Sequence, residues 1–565
     1  MIYADPKQLE MAFVKPGTPM FSDLVVELAE DTTLTDVRRR DLASGLRGVA
    51  KAIGRPPEIV PADLRWLQPR LEKVAPAALA ISDKSWSNTL SNARAAMIHC
   101  GISKPRASRR KDLSPAWLTL WTALQASDEK SIGFALSNFL FFLSAINVAP
   151  EDVCDADTLS YREALGMDEI RKSPDDTYRK AVCGWNRAVK RFDFWPQQTL
   201  TFPSRSKRIA LHLEELPESF QRDFESYLTG LASPDPLALG GLLAPLRPAS
   251  IKTRRQSVLR FTGFLAQAGI GIGSLTSMAA LVSPDVVECG LRWMLARKDG
   301  KTAPDIDSMA AMLLTIAKQY VDMPEGDIAK LEHLSKRLAM PRQKGMTKKN
   351  RDRLRPLDDK DTRQKFLLLP QRLFAKAEAA GLTPKSMLQR EDALALAILQ
   401  ICPIRRKNLV EIHLDRNLQR PGNGRVYLIF EEEEVKNCRQ IEFQLPDDVV
   451  RMIDHYVAVR SPLICPAGSP WLFPRRDGNA PMDPAQMSTK ISNRIKRELG
   501  LDFNAHLHRH LAASIWLDDR PGSYEAIRRI LGHSSTSTTL SAYAGFEAGT
   551  AARLFSEVIE KARNA

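Results

Sequence analysis

The chain has 565 residues, 44% of them hydrophobic, and its 81 Lys and Arg against 67 Asp and Glu leave a formal charge of +14. That length allows about three or four domains, and an excess of positive charge points to a polyanionic partner, nucleic acid first, because surface charge steers association and phosphate contacts supply affinity. No apolar run reaches the roughly 18 residues of a membrane span; the longest patch, Phe139 to Leu143, is broken by Ser144 and Asn147. The start, Met1-Ile-Tyr-Ala-Asp-Pro6, lacks a charged-then-apolar signal pattern. The seven cysteines, Cys100, Cys154, Cys183, Cys289, Cys402, Cys438 and Cys465, make no C-x-x-C pair. Reduced thiols, a cytoplasmic location and no Cys-rich zinc site are therefore expected.

Residues 1–205 read as a helical N-terminal region. A 3.6-residue period runs through Leu42, Leu46, Val49 and Ile53, and again through Leu118, Trp121 and Leu124. The basic stretch Lys104–Lys111 divides the region into two units near 104–112, and a second break, Thr201 to Pro217, contains Pro203-Ser-Arg-Ser-Lys-Arg208. Segments beginning near Arg38, Ser131 and Arg254 share a layout: an amphipathic helix, then a Pro-containing turn (Pro61, Pro150, Pro284), then further helices. The likeness is in layout rather than in residues, and short helices joined by Pro turns also look alike without a repeat.

Residues 247–340 read as a separate helical unit whose first helix aligns Val258, Phe261, Phe264 and Leu265. Lys252, Arg254 and Arg255 at its start are candidate DNA contacts. A basic connector follows, Lys336 to Arg355, with its linker at 341–355. It supplies Arg342, Lys344, Lys348, Lys349 and Arg351 as further candidates, and Pro341 and Gly345 argue against one continuous helix. A flexible basic strap suits a protein that closes around a duplex; a solvated linker is the plain alternative. Residues 356–565 mix helix with a strand pattern, Val426–Phe430 and Gln440–Gln444, with Lys436-Asn437 at the turn between them. The expected fold is mainly α, with a small β-hairpin or sheet in the C-terminal domain (α+β).

The chemistry concentrates near the end. Asn504 is a candidate N-cap, and on the following helix His506 and Arg509 face the same way with His510 one turn from His506. Guanidinium beside imidazole suits a phosphate, since Arg holds two oxygens and His moves a proton near neutral pH. Metal binding or a solvated basic turn are the alternatives for an isolated H-x-x-R. Gly532 fits the close of a helix over Ser523–Leu531, which puts His533 at the start of the next loop and Tyr543 ten residues further on. Four of the nine histidines fall between 506 and 533, too many to place as independent core residues.

Taken together, His506-x-x-Arg509, Leu531-Gly-His533-Ser-Ser, Thr538-Thr539 and Tyr543 resemble the C-terminal signature of the tyrosine recombinase (phage integrase) family. The family's other two catalytic elements also have matches here. Arg405 opens a helix after the apolar run Leu394–Ile404, and Lys436 sits in the hairpin turn. The resemblance covers 405–543 well, extends loosely to 247–340 as a core-DNA-binding domain, and does not reach 1–200. Two features depart from many members: Asn408 stands where an acid is usual, and the His533–Tyr543 interval is one residue longer. Glu431–Glu434 is an acidic run beside Lys436, expected on a strand with half of it on each face and able to pair with Arg439 or another subunit.

The resemblance implies a site-specific DNA recombinase or integrase, of a mobile genetic element, acting through a 3′-phosphotyrosine intermediate. Tyr543 is then the nucleophile, which conserves bond energy for rejoining. Arg405 and Arg509 hold the non-bridging oxygens. Lys436 protonates the leaving 5′ oxygen, His506 is the acid–base partner and His533 donates to the phosphate. No cofactor or metal is expected. The implied partners are duplex recombination sites, a homo-tetramer joined through a C-terminal helix carrying Leu554, Phe555, Val558 and Ile559 on one face, and accessory recombinases or host factors. Two alternatives use the same residues: type IB topoisomerase-like relaxation, and a DNA-binding accessory protein with an inactive catalytic set.

Overall fold

The computed structural model describes residues 14–103, 113–167, 174–201, 209–235, 244–341, 345–422, 424–543, 545 and 547–564, the side chains of 166, 167 and 547–554 excepted. The stretches Lys104–Lys111 and Pro203–Arg208, and the candidates Arg342 and Lys344, lie outside them. The fold is mainly helical with one three-stranded sheet, and the chain forms two compact units, Met1–Pro203 with Lys344–Ala565, and Ser204–Gln343.

The first unit opens with α1 (Phe21–Glu30), α2 (Asp36–Ala52), α3 (Leu64–Leu71) and α4 (Asp83–His99). Thr35, Asp63 and Ser82 cap the last three by accepting backbone N–H bonds, as Thr, Asp and Ser do at N-caps. Their core gathers Phe21, Leu24, Leu42, Leu46, Val49 and Leu67. A second core belongs to α5 (Pro115–Ala126), α6 (Lys130–Ala145), α7 (Asp155–Met167) and α8 (Pro174–Arg191), around Trp117, Phe139, Trp185 and Trp195.

The second unit holds α9 (Glu218–Ala232), α10 (Pro248–Gln267), α11 (Met278–Leu281), α12 (Pro284–Ala296), α13 (Pro304–Ile316) and α14 (Glu325–Leu338). It takes in α9, ahead of the 247 boundary read from sequence: Phe220 and Phe224 share a core with Val258, Phe261 and Phe264.

The first unit resumes with α15 (Lys348–Leu354), α16 (Lys360–Leu367), α17 (Leu369–Ala379), α18 (Pro384–Ile401) and α19 (Arg406–Val410). Then come β1 (Leu418–Gly422), β2 (Arg425–Phe430), β3 (Ile441–Gln444), α20 (Asp447–Val459), α21 (Pro484–Leu499), α22 (Leu507–Asp519), α23 (Tyr524–Leu531), α24 (Thr536–Tyr543) and α25 (Glu547–Arg563). Helix α18 is the hub; its run Ala393–Leu399 is buried without a break, so the helix is apolar all round and enclosed by its neighbours. The acids it carries into the interior are paired. Asp392 meets Arg494 at 2.7 Å, Glu391 meets Lys490, and Tyr456 donates to Glu391 at 3.1 Å. At the end of α21, Gly500 takes φ +73°, and a Cβ there would lie 2.5 Å from that of Ala78, so the turn Pro76–Leu79 of the N-terminal region seats on this glycine.

Three expectations change. The sheet has order β1-β2-β3, antiparallel, with Leu418 opposite Leu428 and Phe430 opposite Ile441. Strand β1 escaped the sequence reading because Pro421 and Gly422 signal a turn, and an edge strand tolerates them. Glu431–Glu434 is not strand: Glu432–Glu434 makes a 3-10 turn, with Glu434 accepting from Asn417 at 3.0 Å and from the Glu431 N–H at 3.0 Å. The run therefore pairs locally rather than with Arg439. The basic connector is not wholly a flexible strap, since Lys348–Leu354 is a helix capped by Thr347 and anchored by the buried Leu354.

Candidate active site

Arg509 is the anchor. Leu507 and Leu511 turn α22 inward, and Arg509, on the same helix, is only 3% exposed. Its Nη1 donates to the Pro403 carbonyl and its Nη2 to the Leu531 carbonyl, both at 2.6 Å. One guanidinium thus fixes the corner before α19 and the end of α23. Burial, reinforced by the nearby charge of Arg405, lowers its pKa to about 10. It remains a cation at neutral pH.

Arg405 stands at the N-cap of α19, half-buried, with its pKa lowered by burial. Asn408, three residues on, donates to the Glu434 carbonyl at 3.0 Å, so an amide joins this short helix to the acidic turn. Arg405 and Arg509 act on each other electrostatically, neither is in an ion pair among the described residues, and a phosphate diester has the charge and oxygens to match them.

Around Tyr543 lie imidazoles. Asn504 accepts from the N–H groups of His506 and Leu507 at 3.0 and 3.1 Å, starting α22 at His506. The His506 ring is 5.0 Å from that of His510, and His510 is 5.6 Å from Tyr543, edge to face. The His533 ring stacks parallel to Tyr543 at 6.2 Å, and its Nδ1 is 2.9 Å from the hydroxyl of the buried Thr539. Burial first, then neighbouring positive charge, lowers His510 and His533 to about 4. His506 is lowered too, by the protein packed about it and by Arg509, Arg405 and Arg406. Tyr543 is 3% exposed; burial raises its pKa and Arg509 opposes that rise. His508, the remaining histidine of the cluster, is a core residue packed on Phe366 and Phe503.

Gly532 ends α23 at φ +58° and leaves room for Ile441, since a Cβ there would lie 2.6 Å from Ile441 Cδ1. Its carbonyl accepts from Asn437. The hairpin tip is thereby fastened to the His533 loop, with Lys436 beside Asn437 and exposed to solvent. Arg405, Arg509, His506, His533 and Tyr543 come together in this structure, while Lys436 sits at the rim. Of the DNA candidates, Lys252, Lys348, Lys349 and Arg351 are exposed; Arg254 donates to the Tyr227 hydroxyl at 3.0 Å and Arg255 pairs with Glu225 at 2.5 Å.

His510 and Asn437 join the site without being among the expected catalytic residues. His510 was detectable as the residue one turn from His506; Asn437 carried no signal, because its partner is a backbone carbonyl far along the chain.

Residues 371–548 match the phage integrase family. Among solved structures, the chain is similar to the XerH site-specific recombinase bound to palindromic difH substrate, at 13% identity and TM-score 0.33, covering 56% of this chain and 99% of that one. It is also similar to the Tn1549 transposon integrase in complex with transposon right end DNA, at 14% identity and TM-score 0.34, covering 60% and 98%. No curated protein matches the chain.

Proposed function

Because residues 371–548 belong to the phage integrase family, we propose that Tyr543 is the nucleophile of this site-specific recombinase, cutting DNA through a 3′-phosphotyrosine. The enzyme cleaves and rejoins DNA. The observation that carries the residue assignment is the convergence of Arg509, Arg405, His506 and His533 on one buried tyrosine.

In this reading the scissile phosphate docks against Arg405 and Arg509, which hold its non-bridging oxygens as charge builds on them. Tyr543 attacks phosphorus, and the 5′ oxygen leaves with a proton from Lys436. His506 serves as acid–base partner, and His533, oriented by Thr539, donates to a phosphate oxygen. Before DNA binds, burial favours the protonated form of the Tyr543 hydroxyl. Rejoining is the reverse attack by a 5′ hydroxyl, with the phosphotyrosine conserving the bond energy.

Residues 247–340 and the exposed connector lysines serve as core-DNA contacts, and several protomers assemble on two duplexes through α25. The helix touches α22 of its own domain, and Phe555 and Val558 are 66% and 60% exposed, which leaves apolar surface for a neighbouring protomer. The long region ahead of residue 204 favours the role of a mobile-element recombinase over chromosome-dimer resolution. A nicked suicide duplex tests the assignment: Tyr543→Phe binds it and forms no covalent adduct, whereas adduct formation at the wild-type rate removes Tyr543 from the role.

A further inference from the structure

Three stretches of this chain are built to one plan: 20–103, 113–201 and 209–297. Among the described residues each runs helix, longer helix, 3-10 turn, helix, helix, with one further 3-10 turn in the first (Pro76–Leu79) and in the third (Leu213–Glu215), and in each the second and fourth helices pack together (α2 with α4, α6 with α8, α10 with α12).

The likeness extends to single positions, counted from the residue that closes the longer helix. That residue is left-handed in all three: Gly54 at φ +71°, Asn147 at φ +56° and Gly269 at φ +94°. The next N–H reaches back five residues in each, from Arg55 to Ala50 at 3.0 Å, Val148 to Leu143 at 3.1 Å and Ile270 to Leu265 at 3.0 Å. This is one helix-closing motif used three times. The 3-10 turn starts three residues after the closing residue in each, at Pro57, Pro150 and Ile272, and the residue following each turn is buried: Val60, Val153 and Leu275. Eleven, eight and four residues before the closing residue, all three helices bury an apolar side chain: Ala43, Leu46 and Ala50; Leu136, Phe139 and Leu143; Val258, Phe261 and Leu265. A glycine sits at each helix crossing. Gly45 abuts Ala93, Gly184 abuts Ala135 and Gly290 abuts Phe261, with an added Cβ 2.6, 2.9 and 2.6 Å from its neighbour.

What differs is charge. Fifteen and fourteen residues before the closing residue stand Arg39-Arg40 in the first stretch and Arg254-Arg255 in the third, but Ile132-Gly133, both buried, in the middle one. Around these positions α2 also carries Arg38, Arg47 and Lys51, and α10 carries Lys252 and Arg260, while Lys130 is the only Lys or Arg of α6. Identical buried positions and one closing motif fix the same direction for these side chains in the first and third stretches.

We propose that residues 20–103 form a second duplex-DNA-binding unit, which holds the phosphate backbone through the basic start of α2, and that 113–201 is a copy of the same unit without that function. The proposal rests on the reading of 247–340 as a DNA contact.

The test is a salt titration of the full-length chain on mixed-sequence duplex DNA. Each lost phosphate contact lowers the slope of log affinity against log salt by about 0.9. Arg38→Ala/Arg40→Ala lowers the slope by about 1 to 2, and Arg38→Lys/Arg40→Lys restores it, which separates lost charge from lost fold. Lys252→Ala/Arg255→Ala lowers the slope independently, and Lys130→Ala leaves it unchanged. An unchanged slope for Arg38→Ala/Arg40→Ala, with a lowered one for Lys252→Ala/Arg255→Ala, overturns this proposal alone. Unchanged slopes for both pairs overturn the reading of 247–340 as well. A change confined to the α2 pair removes that reading and the argument from copying with it.

Discussion

Tyr543 differs from phenylalanine by one hydroxyl, and its ring lies between those of His510 and His533. Arg509 does two jobs: its bonds to carbonyls hold Pro403 and Leu531 in place, and its charge acts on Tyr543. Arg509→Ala is expected to lower the cleavage rate about 100-fold or more, the scale of losing one transition-state donor. Arg509→Lys recovers little, because an ammonium cannot span both carbonyls in one plane. His510 touches Tyr543 without belonging to the inherited motif. His510→Ala is expected to slow single-turnover cleavage about tenfold through a misplaced ring, with DNA affinity unchanged and partial recovery in His510→Phe. Equal loss of DNA affinity and rate would contradict a positioning role. The histidines also set a pH window for the unliganded protein. His508, His510 and His533 are lowered from 6.5 to about 4 in the fold, so the unfolded chain takes up protons first as pH falls. Their contribution to stability is complete above about pH 6.5 and is lost progressively towards pH 4. The urea midpoint should fall across that window, and His508→Leu should flatten part of the fall; an unaltered slope in that variant would show that burial of His508 does not drive it.

At the scale of elements, the active-site corner depends on α18, whose buried acids are matched by α21. Asp392→Ala leaves the buried Arg494 with only the part-exposed Glu498, at 3.4 Å, as its partner and is expected to cost about 3 kcal/mol, read as a lowered unfolding midpoint. The Asn437 bond to Gly532 couples the hairpin to the His533 loop, so Asn437→Ala should slow cleavage while DNA binding persists. Removing residues 551–565 is expected to spare single-site binding but weaken cooperative loading of a second protomer on a two-site duplex. Much of this level was legible in sequence. Arg405, His506, Arg509, His533 and Tyr543, which the fold brings together, stand out in the sequence because short helix-bound motifs keep their spacing, and Gly532 marks the helix end. Strand β1 was hidden by Pro421-Gly422, and the Glu431–Glu434 turn by reading alternation through an acidic run whose carboxylate folds back on Asn417. The repeated layout near Arg38, Ser131 and Arg254 is visible in sequence only as layout, because cores of Ala43-Leu46-Ala50 and Val258-Phe261-Leu265 share burial but no identity.

At the scale of the whole molecule, the basic excess sits in a chain with helical stretches of one plan ahead of a catalytic domain. Affinity for duplex DNA should fall steeply with salt, as counterion release from many phosphates requires; a flat dependence would deny an extended backbone contact. The turn Pro76–Leu79 seats against Gly500, so replacing Gly500 with Ala, at φ +73°, should destabilise the compact unit shared by the N-terminal and C-terminal parts. The most direct measurement is peptide mapping of the covalent product on a nicked suicide duplex, with and without EDTA. A denaturation-resistant adduct is expected on the Tyr543 peptide, equal in both conditions and absent from Tyr543→Phe. An adduct on another residue, or none in EDTA, would contradict this.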